Sequence, residues 1–328
     1  MLSSYDNKIL TCCFICAHLS LLNTIELVGA IPGTLGLLSN LHTLNLKENQ
    51  LTGTIPEEIV FVLSLKELFL HTNYLRGPVP TQIALLSKLE ELELHHNLLS
   101  GSIPSDLALL QNLVELQLYG NEFNHTIPSE LGQMSMLQVL RLDQNSLYGP
   151  VPTELGGMAS LVNLNLHRNR ISGPLPTEIG NLSNLKELRL YENVITGQLP
   201  SELGKLKSMM KLSLSSNMLN GTLPEQLGDL PQLQGLWLHK NSFSGVIPIS
   251  LGRLSQLIWL SLEENSLHQT IPTEFGNLTN LQELHLYHNA LAGKIPSEIG
   301  AMTALKRMTL SANGKITKLE KLDLPFLS

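Results

Sequence analysis

Residues 161–180 read LVNLNLHRNRISGPLPTEIG, and residues 41–60 read LHTLNLKENQLTGTIPEEIV. Both follow one template, LxxLxLxxNxLxGxIPxxLGxLxx. Its asparagine recurs every 24 residues, from Asn49, Asn73 and Asn97 through to Asn313, and a proline series keeps the same step from Pro32 to Pro296. A fixed period of this length marks units that cannot bury an apolar face alone and must stack. Within LxLxx, alternate residues point to opposite sides of a short strand, so Leu164 and Leu166 turn inward while Asn163, Asn165 and His167 face out. An inward asparagine is tolerable once per coil if its amide bonds the backbone of its own turn and of a neighbouring coil. Gly53, Gly77, Gly101 and their successors to Gly293 supply a bend that a side chain would hinder. His125 and Gln269 replace that glycine in two coils, where a distortion is expected. The Ile/Leu/Val–Pro pair then sets an extended path, and LGxLxxL turns the chain back to close the coil.

Composition narrows the function. Of 328 residues, 43% are hydrophobic and 15% charged, too apolar for a disordered chain. The period overrides the two-domain expectation that length alone suggests and points to one elongated domain, since solenoids lengthen by adding coils. A net charge of −7 argues against nucleic acid, which demands a basic stripe. Cys12, Cys13 and Cys16 all precede the repeats, so no disulfide framework staples the body. Cys13 and Cys16 with His18 have half of a zinc spacing and no second half, and no metal is assigned. The sequence holds no GxSxG, HExxH, phosphate loop or kinase motif; the HRN at His167 is part of a repeat. An enzyme is not expected, and neither is a cofactor.

The LxGxIPxxLGxLxxL half of the template resembles the plant-specific class of leucine-rich repeats, found in ectodomains of receptor-like kinases, in receptor-like proteins and in polygalacturonase inhibitors. The resemblance covers residues 27–316, and the sequence differs from those families in lacking their paired-cysteine caps. It implies an α/β-type leucine-rich-repeat solenoid, a right-handed superhelix with a parallel sheet of short strands on the concave face and extended and 3-10 segments on the convex side. It also implies extracellular recognition or surface signalling. Three segments follow. Residues 1–26 are an apolar segment whose run ILTCCFICAHLSLL at 9–22 suits a signal or anchor as well as a cap over the first coil. Residues 27–316 hold twelve coils of 24 residues, and residues 317–328 form a degenerate cap in which LEKLDL restarts the leucine pattern early.

The outward positions of LxxLxLxxN form four rows across the coils, on strands about 4.8 Å apart. Trp237 and Trp259, the only two tryptophans, fall in these rows on adjacent coils. Gly235 with the small Ser213, Ser215 and Ser216 should leave a shallow dip beside both rings, and tryptophan is enriched in interface hot spots. His239 flanks the pair, Arg189 and Tyr191 lie two coils before it, and His285 and Tyr287 follow it. These residues, with Arg141, are the ligand-binding candidates. Charge also segregates: Glu67, Glu91 and Glu115 share a row with Glu93 beside them, while Arg141, Arg168 and Arg189 come later. Such a ridge of like charges would suit a basic partner. Taken singly, a histidine or tyrosine here is expected only to solvate the sheet, and the acidic ridge is equally a rim softened by Lys66 and Lys88. His71, His95 and His96 approach one another on adjacent coils, but ordinary surface histidine is commoner than a metal ligand.

Asn-x-Ser/Thr sequons stand at Asn124, Asn181, Asn220 and Asn277, and glycosylation there would support secretion. The functional expectation is a recognition module that binds a protein, peptide or glycan on its concave face, extracellular or at the plasma membrane, with a membrane co-receptor as a further partner. The alternatives are a secreted inhibitor of cell-wall glycosidases and a cytoplasmic interaction scaffold.

Overall fold

The structure is a computed structural model in which residues 18–19 and 26–317 are described. Cys12, Cys13 and Cys16, the rest of the apolar run at 9–22 and the terminal LEKLDLPFLS lie outside the described residues. The chain forms two compact units, Met1–Tyr148 and Gly149–Ser328. Each is a stack of the coil that the template specifies.

One coil of the second unit shows the construction. The strand Asn163–Asn165 is followed by a bend, a second short strand Arg170–Pro174 and a 3-10 helix Thr177–Asn181. Leu161, Leu164, Leu166, Ile171, Ile179 and Leu182 from this coil are all buried. The leucines of LxLxx therefore do face inward, and their ladders run along parallel strands. In the second unit Glu187, Lys211, Gly235, Trp259 and Glu283 are successive partners across the sheet. In the first unit the same row runs Thr43, Glu67, Glu91, Glu115 and Val139. The short strand His18–Leu19 pairs in parallel with Thr43 and Leu44.

The asparagine satisfies all of its amide. Asn193 Nδ2 donates to Leu190 O at 3.0 Å in its own coil and to Leu166 O at 3.1 Å in the preceding one, while Oδ1 accepts from Ile171 N at 2.9 Å. Asn97 repeats the set with Leu94 O, Leu70 O and Leu75 N, each at 3.0 Å. A polar residue in the interior is thereby turned into a strut between coils. Proline opens the next segment: Pro200, at φ −69, precedes the 3-10 helix Ser201–Lys205, and its carbonyl accepts from Leu203 N at 3.2 Å.

The distortion expected at His125 and Gln269 does not occur. Both keep the left-handed backbone of the glycine they replace, at φ 76 and 69, and both stay in register, opposite Leu147 and Leu291. Pairing with neighbouring coils holds the conformation, and the residues carry the strain instead. A second left-handed position was not anticipated. The residue before each ladder asparagine, from Glu48 at φ 54 to Ala312 at φ 52, is left-handed, and glycine occupies that place only at Gly120.

Candidate functional site

The second unit brings the tryptophans together on the face of the parallel sheet. Trp237 ends the strand Gly235–Trp237 and Trp259 begins Trp259–Ser261, and Gly235 is the direct partner of Trp259. Because Gly235 has no side chain, the Trp237 ring lies across it; a Cβ there would overlap that ring. The two ring centroids are 6.4 Å apart at 34°, and Trp259, 36% exposed, continues to His285 at 5.5 Å. This corrects the Gly235 part of the expected dip, where the space is filled by Trp237. The depression lies instead over the serines, about 410 Å3 in volume, bounded by Ser213, Ser215, Trp237, His239, Arg189 and Tyr191.

The charges around it are partly spent. Glu187 holds Arg189 Nη2 at 2.7 Å and Lys211 Nζ at 2.8 Å, so one carboxylate serves two cations. Glu192, which also lines the depression, pairs with Arg168 at 2.9 Å, so the wall carries both signs of charge. Lys211 also borders the depression and was missed in the sequence, although its place in the outward row beside Glu187 could have signalled it. Burial lowers the His239 pKa and keeps the ring neutral. Ser261 Oγ donates to Glu263 Oε2 at 2.6 Å and lies 2.8 Å from His239 Nδ1. With its one proton given to the glutamate, Ser261 must accept from Nδ1–H, which leaves His239 Nε2 as an acceptor. Tyr191 stacks on the buried His167 at 4.2 Å, which fixes the ring at the rim. His285 Nδ1 lies 3.0 Å from the Thr309 hydroxyl and its Nε2 lies 3.2 Å from the Glu283 carboxylate, and Tyr287 packs edge-on to His288.

In the first unit the outward rows are packed side to side rather than open. His71, His95 and Tyr119 stack at 4.1 and 4.4 Å, and the Arg141 guanidinium caps Tyr119 at 3.7 Å. Arg141 also pairs with the fully buried Asp143, through Nε and Nη2 at 3.3 Å each. Both faces of its chemistry are thus engaged within the unit. His71 and His95 are buried, which corrects their expected place as solvating surface residues. Burial, reinforced by the neighbouring Lys47, brings His71 down to about 4; burial and the other histidines bring His95 to about 3. With Glu93 they place three donor atoms within 4.8 Å of one another, a set that could hold a metal ion. The rings lie parallel, at 12°, so their nitrogens point alongside one another rather than at one centre, a poor start for tetrahedral ligation.

The acidic row is confirmed as a row, with Glu67 opposite Glu91 and Glu91 opposite Glu115. Burial and then the charge of Glu115 raise the pKa of both Glu91 and Glu93. Neutral donors soften the ridge: Thr43 Oγ1 to Glu67 at 2.9 Å, and Gln117 Nε2 to Glu115 at 3.0 Å and Glu93 at 3.1 Å. Lys66 pairs with Glu90 at 2.6 Å. Of the sequons, Asn181, Asn220 and Asn277 are exposed, the first and last closing 3-10 helices, whereas the Asn124 Oδ1 is buried.

Comparison with known proteins places this geometry. A family model for the leucine-rich repeat matches residues 40–61, 88–110, 112–134, 160–182 and 184–206, and one for a leucine-rich repeat region matches 214–325. A leucine-rich-repeat protein of Leptospira interrogans is 39% identical at a TM-score of 0.75, over 88% of this chain and 71% of its own. The chain belongs to the leucine-rich-repeat family. The ectodomain of the Arabidopsis receptor kinase HAESA, in complex with an IDA peptide hormone, is 32% identical at a TM-score of 0.80, over 89% of this chain and 53% of that one. A PEPR1–AtPEP1 structure is 35% identical at a TM-score of 0.78, over 88% and 44%. HAESA is also solved with IDA and the co-receptor SERK1. This leucine-rich-repeat chain spans about half the length of the HAESA and PEPR1 chains it matches. No curated protein sequence matches it. Among the described residues, no helix is long and apolar enough to cross a membrane.

Proposed function

We propose that the chain is a non-enzymatic recognition module that binds a peptide segment of a partner along the sheet face of its second unit, at Trp237 and Trp259 and the depression beside them. One observation carries the reading: two contiguous tryptophan rings lie on the sheet face, Trp259 exposed and Trp237 bordering a hollow lined by small hydroxyls and by the charged Arg189, Lys211 and Glu192. Large rigid rings contribute much contact area for little lost rotamer freedom, and the serines and His239 Nε2 supply hydrogen bonds along an extended backbone. That HAESA holds a peptide hormone supports the choice of peptide over glycan. A receptor-like role outside the cell, with a membrane co-receptor as second partner, belongs to the same reading, and so does glycosylation of the exposed Asn181, Asn220 and Asn277. Glycosidase treatment of the chain expressed in a secretory host should lower its apparent mass; an unchanged mass would count against the extracellular part.

The binding site is tested with a displayed random-peptide library selected on the chain. Peptides recovered should bind the Trp237→Ala, Trp259→Ala double variant at least about 30-fold more weakly, the equivalent of roughly 2 kcal/mol. Selected peptides that bind parent and variant alike would remove the site.

A further inference from the structure

The last residue of the 3-10 helix is exposed in every described coil, and in eight of them it is polar or small: Gln133, Gly157, Asn181, Lys205, Asp229, Arg253, Asn277 and Ala301. The first four coils differ. They place Leu37, Phe61, Leu85 and Leu109 there, each 58–70% exposed. These four side chains sit at the same position of adjacent coils, at the ends of the helices Gly33–Leu37, Glu57–Phe61, Thr81–Leu85 and Ser105–Leu109, so they form one continuous apolar ridge within the first unit. Scattered exposed leucines are ordinary, but a row of large apolar residues is the mark of a contact surface.

At one end the ridge opens into a depression of about 420 Å3 between the first two coils, lined by Leu37, Phe61, Gly33, Gly36 and Glu58. It exists because two glycines face the next coil: a Cβ at Gly33 would lie 2.8 Å from the Glu58 carboxyl carbon. The Glu58 carboxylate thus stands exposed in the wall of an apolar hollow, and no described residue forms an ion pair with it. Glu57 and Asp106, also exposed, keep the same flank acidic.

From this geometry we infer that the ridge is a second docking surface, on the 3-10 side of the coils, for an amphipathic α-helix of another protein whose apolar stripe carries a lysine or arginine at the Glu58 end. The spacing selects the helix. Coils repeat at about 4.8 Å at the sheet and an α-helix advances 5.4 Å per turn, so a helix laid along the ridge sets one apolar residue over each coil for about three turns. An extended strand repeats its facing side chains every 6.6 Å or so and loses register by the third coil. The charge selects the edge of the helix, because a long basic side chain can lay its stem between Leu37 and Phe61 and bring its cation to Glu58. A second copy of this chain would bring Glu57, Glu58 and Asp106 against like charges, and an anionic membrane would be repelled by the same groups. The surface is independent of the tryptophan site and stands or falls apart from it.

The test uses the full chain and a synthetic amphipathic helix of about four turns with one leucine per turn and a lysine beside the end residue, compared with the same peptide carrying glutamate for that lysine. The lysine peptide should bind the parent about tenfold more tightly than the glutamate peptide, and Glu58→Gln should erase most of that preference. Leu85→Gln with Leu109→Lys should weaken the lysine peptide by about tenfold, and Phe61→Gln should weaken it independently. These replacements are the residues found at the equivalent positions Gln133 and Lys205, so the thermal unfolding profile should be preserved. Equal binding of both peptides, or an affinity indifferent to the ridge variants, would overturn the inference. So would self-association of the parent, or its binding to lipid vesicles, if the ridge variants abolish either, because the occupant would then be a copy of the chain or a membrane.

Discussion

Asn193 shows how a single side chain joins two coils, and what its loss should do. Replacing it by alanine leaves the Ile171 amide without its acceptor and takes one of two asparagine donors from each of the carbonyls Leu166 O and Leu190 O, which keep Asn169 and Asn217. A cost of about 1–3 kcal/mol is expected, together with faster hydrogen exchange at the Ile171 amide; retained protection there would deny the ladder its role. The asparagine was legible in the sequence because it recurs without exception. The left-handed residue before it was not, since Glu48, Thr72 and Arg168 have nothing in common but position. Gln269 tests the other left-handed site. Restoring the glycine that most coils carry should raise stability by about 0.5–1 kcal/mol, because relief of the left-handed strain exceeds the entropy of glycine in the unfolded chain. A lower melting temperature for Gln269→Gly would contradict this.

Rows of side chains along the sheet behave less simply than the alternation of strands suggests. The pattern tells which residues leave the core, and it did so correctly for Leu164, Asn163 and both tryptophans. It cannot tell which of the outward residues then cover one another, because that depends on rotamers set between coils. His167 and Asp143 are outward in the pattern and buried in the structure for this reason, and Arg141 packs on Tyr119 and pairs with Asp143. The stack has a consequence in acid. His71 and His95 titrate at about 4 and about 3 in the fold, below the ordinary 6.5, so their contribution to stability is complete above pH 6.5 and is lost as pH falls from there towards 4 and 3. Glu91 and Glu93, raised by burial and like charge, work in the opposite sense as they are neutralised. His95→Phe keeps a ring between His71 and Tyr119 and removes one proton acceptor, so its melting temperature should fall less steeply between pH 6.5 and 4 than that of the parent. Parallel slopes would refute the assignment. Glu91→Gln should stabilise the first unit at neutral pH by a few tenths of a kcal/mol, roughly 0.5, and the gain should shrink in high salt.

Taken together, a chain built from one repeated coil makes its fold readable and its ligand obscure. The invariant positions are all structural, so twelve repetitions of Leu, Asn and Pro specify the stack many times over. Both proposed sites lie where coils deviate: at Gly235, whose missing side chain accommodates Trp237, and at Leu37 to Leu109, where later coils are polar or small. The tryptophan site was visible because the residue type is rare, whereas the ridge looked like four more leucines in a leucine-rich sequence. Trp237 and Trp259 are the only tryptophans of the chain, so fluorescence excited selectively at tryptophan, apart from its six tyrosines, reports on the proposed site. Binding of a selected peptide, verified by calorimetry, should shift the emission to shorter wavelength and shield it from acrylamide quenching. Calorimetric binding that leaves both emission and quenching unchanged would contradict the proposal that a partner docks on these two rings.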